Sequence, residues 1–254
     1  MTEEGADVDR QVEEADQFQR TRLLLGDDGM ERLRAACVMV VGLGAVGGYA
    51  VEALARSGVG ALDLIDHDTV SLTNLNRQII ATHDTIGRLK TDVMKERLLS
   101  ICPDLSVTCF PVFALPDNLD QFPFSEYDYI VDAVDSVAAK VALAEVAARR
   151  GVPIISSMGA GNKLDPARFR VSDISKTSVC PLARAVRQAL KKKGITHLKA
   201  VWSDEPPRMP ASLPDGEPLP PGKRSLPGSV MFVPAAAGLL IAAEVIQDLT
   251  REGV

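Results

Sequence analysis

The sequence is poor in aromatic residues, in histidine and in paired cysteines. Aromatic side chains make up 4% of the 254 residues, which argues against a recognition surface built from many stacked rings. The four cysteines form no C-x-x-C pair, so we expect no zinc, because structural zinc sites draw their ligands from close pairs. The N-terminus is acidic and polar rather than basic and then apolar, and no disulfide pattern is present, so we expect a cytoplasmic protein.

Long apolar runs are also scarce, and a single stretch, 230–246, comes near to a membrane span. It has 17 residues and includes Pro234 and Glu244, whereas a spanning helix needs about 20 apolar residues. We therefore predict a buried core helix at 235–249 and no membrane span.

The formal net charge of −6 hides two segments of opposite sign. Residues 1–20 hold seven acids and two bases, and residues 163–200 hold ten bases and two acids. We predict a flexible acidic tail at 1–16 followed by one domain at 17–254. Eight of the sixteen prolines lie at 204–228, which predicts a mobile loop there.

The basic segment contains a predicted helix at 181–193. Arg184, Arg187 and Lys191 are spaced i, i+3 and i+7, which places them on one helix face. Lys192 and Lys193 extend this face. Such a cluster either binds a phosphate backbone or is a solvated surface, and charge alone does not decide between the two.

Apolar runs typical of buried strands alternate with helical patterns along the chain. This alternation predicts an α/β fold, a Rossmann-like, doubly wound and mostly parallel sheet with its ligand site at the carboxyl ends of the strands. A C-terminal α/β extension is expected on the same sheet. The predicted strands are 37–41, 61–65, 107–112, 129–134, 153–157, 169–174 and 198–203.

A glycine-rich turn joins the first strand to the next helix. Gly42, Gly44 and Gly47 form a G-x-G-x-x-G pattern, which lets the backbone and the helix N-terminus approach a phosphate or ribose. Asp66 lies 19 residues after Gly47, at the end of the second strand, where an acid accepts hydrogen bonds from ribose hydroxyls or caps the local backbone. These features fit NAD as well as ATP.

The polar residues that follow favour a triphosphate. Asn74, Arg77 and Gln78 lie in one loop, and Lys90 opens the next helix. A guanidinium, an ammonium and an amide at one site suit the charge that develops when a triphosphate is cleaved, whereas hydride transfer needs no such positive charge. Asp135, at the end of another strand, either holds Mg²⁺ or caps the helix after it.

The string VVGLGAVGGYAVEALARSGVGALDLIDHDTVSLTNLNRQ, followed by Gly87-x-x-Lys90 and IVDAVDS, resembles the adenylating domain of the ubiquitin-activating enzymes, MoeB and ThiF. The resemblance implies that a substrate carboxylate attacks the α-phosphorus of ATP, that pyrophosphate leaves, and that a nucleophile captures the acyl-adenylate. It also implies a homodimer in which Arg22 reaches into the partner's site. The site residues that it implies are Asn74, Arg77 and Lys90 in catalysis, Gly42, Gly44, Ala45, Gly47, Asp66, Asp68, Gln78 and Asp132 around the nucleotide, and Asp135 on Mg²⁺.

A closer resemblance covers nearly the whole chain after about residue 15. LARSGVG, TNLNRQI, DAVDSVAAK, PIISSMGAGNKLDPARFRVSDISKTSVCPLARAVRQALKKKG and GSVMFVPAAAGLLIAAEVI are similar to the tRNA threonylcarbamoyladenosine dehydratases. This similarity implies ATP-dependent cyclisation of N6-threonylcarbamoyladenosine next to the anticodon, to its hydantoin form. The substrate's own carbamoyl nitrogen is then the nucleophile, which agrees with the absence of any cysteine after Cys180.

The same similarity implies a tRNA substrate, and the charge pattern of the basic helix supports this independently as the surface that binds it. It further implies a monovalent cation, K⁺ or Na⁺, and a sulfur-transfer partner of the cysteine desulfurase type. Three alternatives remain at this point: MoeB/ThiF-type adenylation of a ubiquitin-like sulfur carrier, an NAD-dependent oxidoreductase, and a non-catalytic RNA-binding module.

Overall fold

The computed structural model describes residues 16–210 and 227–251. Most of the predicted acidic tail therefore lies outside the described residues, as does the middle of the predicted mobile loop, 211–226. The described ends of that loop are held in place. Arg208 N–H donates to Asn162 O at 2.7 Å, and Gly228 N–H donates to Asn162 Oδ1 at 2.6 Å.

The described residues contain the strands β1 (Cys37–Val41), β2 (Ala61–Ile65), β3 (Ser106–Phe110), β4 (Tyr129–Asp132), β5 (Ile154–Ser157), β6 (Phe169–Asp173) and β7 (Lys199–Ser203). They form one sheet in the order β3-β2-β1-β4-β5-β7-β6. Neighbouring strands are parallel, except that β6 is antiparallel to β7. The predicted α/β fold, with its C-terminal extension on the same sheet, is confirmed.

Helices cover both faces of the sheet, as the doubly wound arrangement requires. Side chains of β1 alternate between the faces, so that Val38 and Val40 join one core while Met39 and Val41 join the other. The helices are α1 (Gln19–Ala35), α2 (Gly47–Arg56), α3 (Lys90–Ile101), α4 (Val137–Arg150), α5 (Pro181–Lys192) and α6 (Phe232–Thr250). The first core contains α1, α2, α3 and α6, and the opposite face is covered by α4 and α5.

The first helix differs from its prediction. The local sequence pattern predicts a short helix at 18–25 that ends at Gly26. Gly26 does leave the helical region, with φ 72° and ψ 174°, but a second helical segment follows and reaches Ala35. That segment is stabilised by tertiary packing, because Met30 and Leu33 are buried in the core although the residues around them are polar.

The predicted core helix near the C-terminus is confirmed as α6. By length and composition alone it could cross a membrane. In the described fold it packs against α2 and contributes Val233, Ile241 and Val245 to the first core. Gly238 permits this close approach, because a Cβ there would lie 2.4 Å from Val46 O.

Candidate nucleotide-binding site

A cleft of about 610 Å³ lies at the carboxyl ends of β1, β2 and β4. The strand order reverses between β1 and β4, and ligands of doubly wound sheets bind at such a point. The cleft brings together most of the residues that the sequence predicts for the site. Those that line it are Gly42, Gly44, Ala45, Asp66, Asp68, Asn74, Arg77, Gln78, Lys90 and Asp135.

The three glycines of the turn have different tasks. Gly42 has a φ of 95°, and a Cβ on Gly47 would lie 1.8 Å from Gly42 O, so both are needed for the turn itself. Gly47 therefore packs the start of α2 onto the end of β1 and does not line the cleft. Gly44 faces open space, where the nearest atom to an added Cβ is Gln78 Nε2 at 4.0 Å. A ligand can approach the backbone at Gly44.

Asp66 holds the glycine turn in place. Its Oδ2 accepts a hydrogen bond from Leu43 N–H at 2.6 Å, and its Oδ1 accepts one from Asp68 N–H at 2.8 Å. Each carboxylate oxygen has a second lone pair, so the group can still accept hydrogen bonds from ribose hydroxyls. The predicted ribose contact stays a prediction.

Two cations face the cleft. Lys90 Nζ lies 2.7 Å from Asp68 Oδ2, and its side chain is 5% exposed. Arg77 Nη1 donates to Thr73 O at 2.7 Å and to Asn76 Oδ1 at 2.9 Å. Partial burial lowers the pKa of Arg77 from its ordinary value, because desolvation disfavours the charged guanidinium. Bound phosphates would offset this cost through charge-assisted hydrogen bonds.

Two buried amides complete this wall of the cleft. Asn74 Oδ1 accepts from Ser71 N–H at 3.2 Å, which closes the short turn Leu72–Asn74. Gln78 is 8% exposed, and its Oε1 has no hydrogen-bond partner among the described residues. A buried amide oxygen without a donor costs free energy, so this atom is suited to accept a hydrogen bond from a ligand hydroxyl or from water.

Carboxylates that could hold Mg²⁺ are also present in the cleft. Asp135 lines it directly after β4, and Asp66, His67 and Asp68 offer ligand atoms that lie within 4.8 Å of one another. Mg²⁺ prefers carboxylate oxygens and phosphates to imidazole. The carboxylates of the cleft therefore fit the ligand preference of a magnesium–nucleotide complex.

The expected contact of Asp132 with the nucleotide is not supported. Asp132 is completely buried beside Lys140, whose Nζ lies 3.0 Å from Asp132 Oδ2 and 3.1 Å from Oδ1. Ser156 Oγ donates to Oδ2 at 2.6 Å. Asp132 Oδ1 also accepts from Val134 N–H at 3.2 Å, so this ion pair supports the turn that leads to Asp135. Neither Lys140 nor Ser156 belongs to a sequence motif that points to this role.

The basic helix is only partly a free cationic face. Arg184, Lys191 and Lys192 are exposed. Arg187 is half-buried, and its Nη1 donates to Thr177 O at 3.0 Å, which binds α5 to the preceding turn. Lys193 is exposed but pairs with Glu145 Oε2 at 2.6 Å. Arg187 is therefore assigned to the fold rather than to the exposed cationic face of the helix.

Arg22 lies on α1, outside this chain's own cleft. It pairs with Asp16 and, at 3.2 Å, with Asp27. Leu23 and Leu24 follow it and are 83% and 87% exposed, although both are large and apolar.

Comparisons with known proteins agree with this geometry. Residues 18–253 match the ThiF family. The chain is 40% identical over 242 residues to the tRNA threonylcarbamoyladenosine dehydratase of Bacillus subtilis, covering 93% of this chain and 95% of that protein. It is 43% identical over 174 residues to the Escherichia coli dehydratase, covering 68% of this chain and 65% of that protein.

The solved structures give the same result. The E. coli tRNA N6-threonylcarbamoyladenosine dehydratase TcdA, in complex with AMP, matches with a TM-score of 0.83 and 36% identity, covering 92% of this chain and 93% of that chain. Its complex with ATP matches with a TM-score of 0.82. By fold and cleft this is an α/β nucleotide-binding protein, and the chain belongs to the ThiF family. Within that family it belongs with the tRNA threonylcarbamoyladenosine dehydratases.

The dehydratase interpretation is favoured over the carrier-adenylating alternative by coverage. The adenylyltransferase and sulfurtransferase UBA4 of Kluyveromyces lactis is 37% identical over 131 residues, which cover 51% of this chain and 29% of that protein. The resemblance to the dehydratases that the sequence motifs indicated is confirmed.

Proposed function

We propose that this chain catalyses the ATP-dependent dehydration of N6-threonylcarbamoyladenosine in tRNA, next to the anticodon, to the cyclic hydantoin form. The observation that carries the proposal is the placement of Arg77, Lys90 and the buried Gln78 amide in one cleft over the glycine turn. Relatives with this activity match almost the whole chain, and one of them binds ATP and AMP in crystals.

The reaction needs two steps. One oxygen of the threonyl carboxylate bonds to the α-phosphorus of ATP, and pyrophosphate leaves. The carbamoyl nitrogen then bonds to the acyl carbon and loses its proton, and AMP leaves with the carboxylate oxygen. The substrate loses one water in total.

The chain's own residues supply position and charge for these steps. Gly44 lets the nucleotide approach the backbone, and Asp66 accepts hydrogen bonds from the ribose hydroxyls. Asn74 and Gln78 orient the bound nucleotide. Arg77 and Lys90 stabilise the negative charge that develops on the phosphates. Asp68 holds the Lys90 ammonium in place.

We assign two metal ions to this site. Mg²⁺ would be held by Asp135 and would neutralise charge on the phosphate oxygens of ATP. A monovalent cation, K⁺ or Na⁺, is expected at backbone carbonyls of the turn 159–161, of which Ala160 and Gly161 line the cleft. The fit of the cleft carboxylates supports Mg²⁺, and the monovalent cation rests on the family resemblance alone.

The proposed tRNA-binding surface is the exposed part of the basic helix. Arg184, Lys191 and Lys192 carry it, and Lys176 is exposed in the turn before this helix. Their cationic side chains would bind the phosphate backbone and position the modified adenosine, without reading base sequence. A sulfur-transfer partner remains an expectation from the resemblance, and so does the cytoplasmic location.

The proposed assembly is a homodimer formed around Arg22. Leu23 and Leu24 support it, because two neighbouring and almost fully exposed leucines are costly on a free surface. In the dimer Arg22 would reach the partner's cleft and add a third cation to the phosphates.

Mass spectrometry of nucleosides tests the function directly. Threonylcarbamoylated tRNA is incubated with the protein, Mg²⁺ and ATP, and is then digested. We expect the modified adenosine to lose one water only when ATP is present, and we expect Arg77→Ala and Lys90→Ala to fold but to abolish this loss. Pyrophosphate exchange that depends on a small carrier protein instead of tRNA would favour the alternative function.

A further inference from the structure

The segment 227–229 forms part of the cleft wall and is fastened there by hydrogen bonds. Asn162 binds it from one side, since Asn162 N–H donates to Gly228 O at 2.8 Å and Asn162 Oδ1 accepts from Gly228 N–H at 2.6 Å. Asn162 has a φ of 60°, a conformation that favours glycine, and these two hydrogen bonds help to hold it there. Residues 227–229 therefore have a defined position at the edge of the cleft.

Asn76 binds the same segment from the opposite side. Its Nδ2 donates to Ser229 O at 2.9 Å, and its Oδ1 accepts from Arg77 Nη1 at 2.9 Å. An amide has a donor end and an acceptor end, so both ends of this one side chain are used. Asn76 thus connects the cleft wall at Ser229 with the guanidinium of Arg77.

The hydrogen bonds of Arg77 explain why this connection matters. Nη1 donates to two acceptors, Thr73 O and Asn76 Oδ1, and the side chain of Arg77 makes no other hydrogen bond within residues 16–210 and 227–251. Two acceptors on one nitrogen fix the plane of the guanidinium. The remaining N–H groups are then available for phosphate oxygens in a fixed fork geometry.

We propose that Asn76 is a positioning residue for the cleavage of ATP, which orients Arg77 and is itself held by Ser229 O. The inference rests on the proposed function, because Arg77 is assigned to the phosphates there. Asn76 need not touch ATP. Its effect is expected in the transition state, where the direction of the Arg77 donors decides how well charge is stabilised.

A double-mutant cycle tests this role. Asn76→Ala is made in the wild type and in Arg77→Lys, and the dehydration rate is measured at saturating tRNA over a range of ATP concentrations. We expect Asn76→Ala to lower kcat about tenfold in the wild type, the size of one hydrogen bond to a charged group, with an unchanged KM for ATP. In Arg77→Lys it should change kcat less than about twofold, because lysine has no fork to orient.

Two controls separate positioning from a loss of folding. Gln247→Ala removes an exposed amide from α6 and should leave kcat unchanged. Thermal melting should show that Asn76→Ala and the wild type unfold at about the same temperature, since Asn76 is exposed. If Asn76→Ala only reduced the fraction of folded protein, kcat would fall by the same factor in the wild type and in Arg77→Lys. The double-mutant cycle would reveal this.

The possible failures can be told apart. Wild-type protein that does not dehydrate tRNA would overturn the proposed function and this inference with it. An active wild type with unchanged kcat in Asn76→Ala overturns the inference alone. The same factor of loss in the wild type and in Arg77→Lys also overturns it, because Asn76 would then act independently of Arg77.

Discussion

The backbone N–H of Leu43 donates a 2.6 Å hydrogen bond to Asp66 Oδ2, so the glycine turn after β1 is bound to the end of β2. One carboxylate therefore links the two strands that border the nucleotide site. Its other oxygen accepts from Asp68 N–H and fixes the backbone that presents Asp68 to Lys90. Asp66 has a structural task in addition to the ribose contact proposed for it.

Replacing Asp66 by alanine should affect both stability and binding. The variant leaves Leu43 N–H without its acceptor, which costs about 1–3 kcal/mol of unfolding free energy. It also removes the ribose acceptor, so we expect the Kd for ATP to rise at least about tenfold. Urea unfolding and calorimetric titration measure the two effects. A less stable protein with an unchanged Kd would contradict the ribose role and leave the structural one.

The buried pair of Lys140 and Asp132 should be essential to the fold. Lys140→Met leaves a completely buried carboxylate without its counter-charge, and we expect a loss of about 3–5 kcal/mol in unfolding free energy. Adding Asp132→Asn removes that charge and should recover much of the loss. Denaturant unfolding of both variants tests this, and a double variant no more stable than the single one would speak against a pure charge effect.

The exposed cations of α5 should govern tRNA affinity through counterion release. Replacing Arg184, Lys191 and Lys192 by alanine should weaken binding and reduce the slope of log K against log salt by about 2–3, because the helix then neutralises fewer phosphate groups of the RNA. Filter binding at several salt concentrations measures the slope. A matched control replaces three exposed arginines outside α5, namely Arg149, Arg150 and Arg251. An equal effect of the control would show that net charge, rather than this helix, determines binding.

Asp248 should make stability sensitive to acid. Burial alone would raise the pKa of this carboxyl, but hydrogen bonds from Lys199 and Tyr129 outweigh it and hold the pKa below its ordinary value of 3.8. The contribution of Asp248 to the unfolding free energy is therefore present above pH 3.8. It is lost as the pH falls through the pKa of the folded state, which lies below that value.

Lys199→Met should remove most of this acid sensitivity. We expect the difference in unfolding free energy between the wild type and the variant to shrink as the pH falls from about 6 to about 3, because the group that Lys199 stabilises becomes protonated. Urea unfolding across this range is the measurement. Lys193→Met, which breaks an exposed pair with Glu145, is the control and should have little effect at any pH. A difference that stays constant with pH would contradict the role of Asp248.

The sequence predicted those parts of the fold that depend on local patterns. The buried strand Cys37–Val41 and the strand Ala61–Ile65 have the predicted bounds. The first is a continuous apolar run, and Asp63 alone interrupts the second. Gly151 ends α4 in the left-handed conformation, which is the usual role of a glycine that follows a helical pattern. The second half of α1 was missed, since its helix depends on burial of Met30 and Leu33 in a core that the local sequence does not reveal.

Site residues could be predicted where they lie at or just after the end of a strand. They were harder to predict where contacts with side chains distant in the sequence determine their orientation. Asp132 is the last residue of β4 and Asp135 lies in the loop that follows, but only the position of Lys140 and Ser156 shows that Asp132 points into the interior. The sequence spacing places Arg187 on the same helix face as Arg184. In the structure, however, Arg187 donates a hydrogen bond to Thr177 O and so joins α5 to the preceding turn. Asn162, which holds both ends of the proline-rich segment, has no sequence signal beyond its place after Gly161.

A substrate carboxylate that is adenylated before it cyclises passes one of its oxygens to AMP, and a heavy-oxygen label in that carboxylate follows this transfer. The labelled threonylcarbamoyl-tRNA is incubated with ATP, Mg²⁺ and the protein, and the nucleotide products are analysed by mass spectrometry. We expect one labelled oxygen in the phosphate of AMP for each adenosine that is dehydrated. Unlabelled AMP, or the formation of ADP and labelled inorganic phosphate, would contradict it.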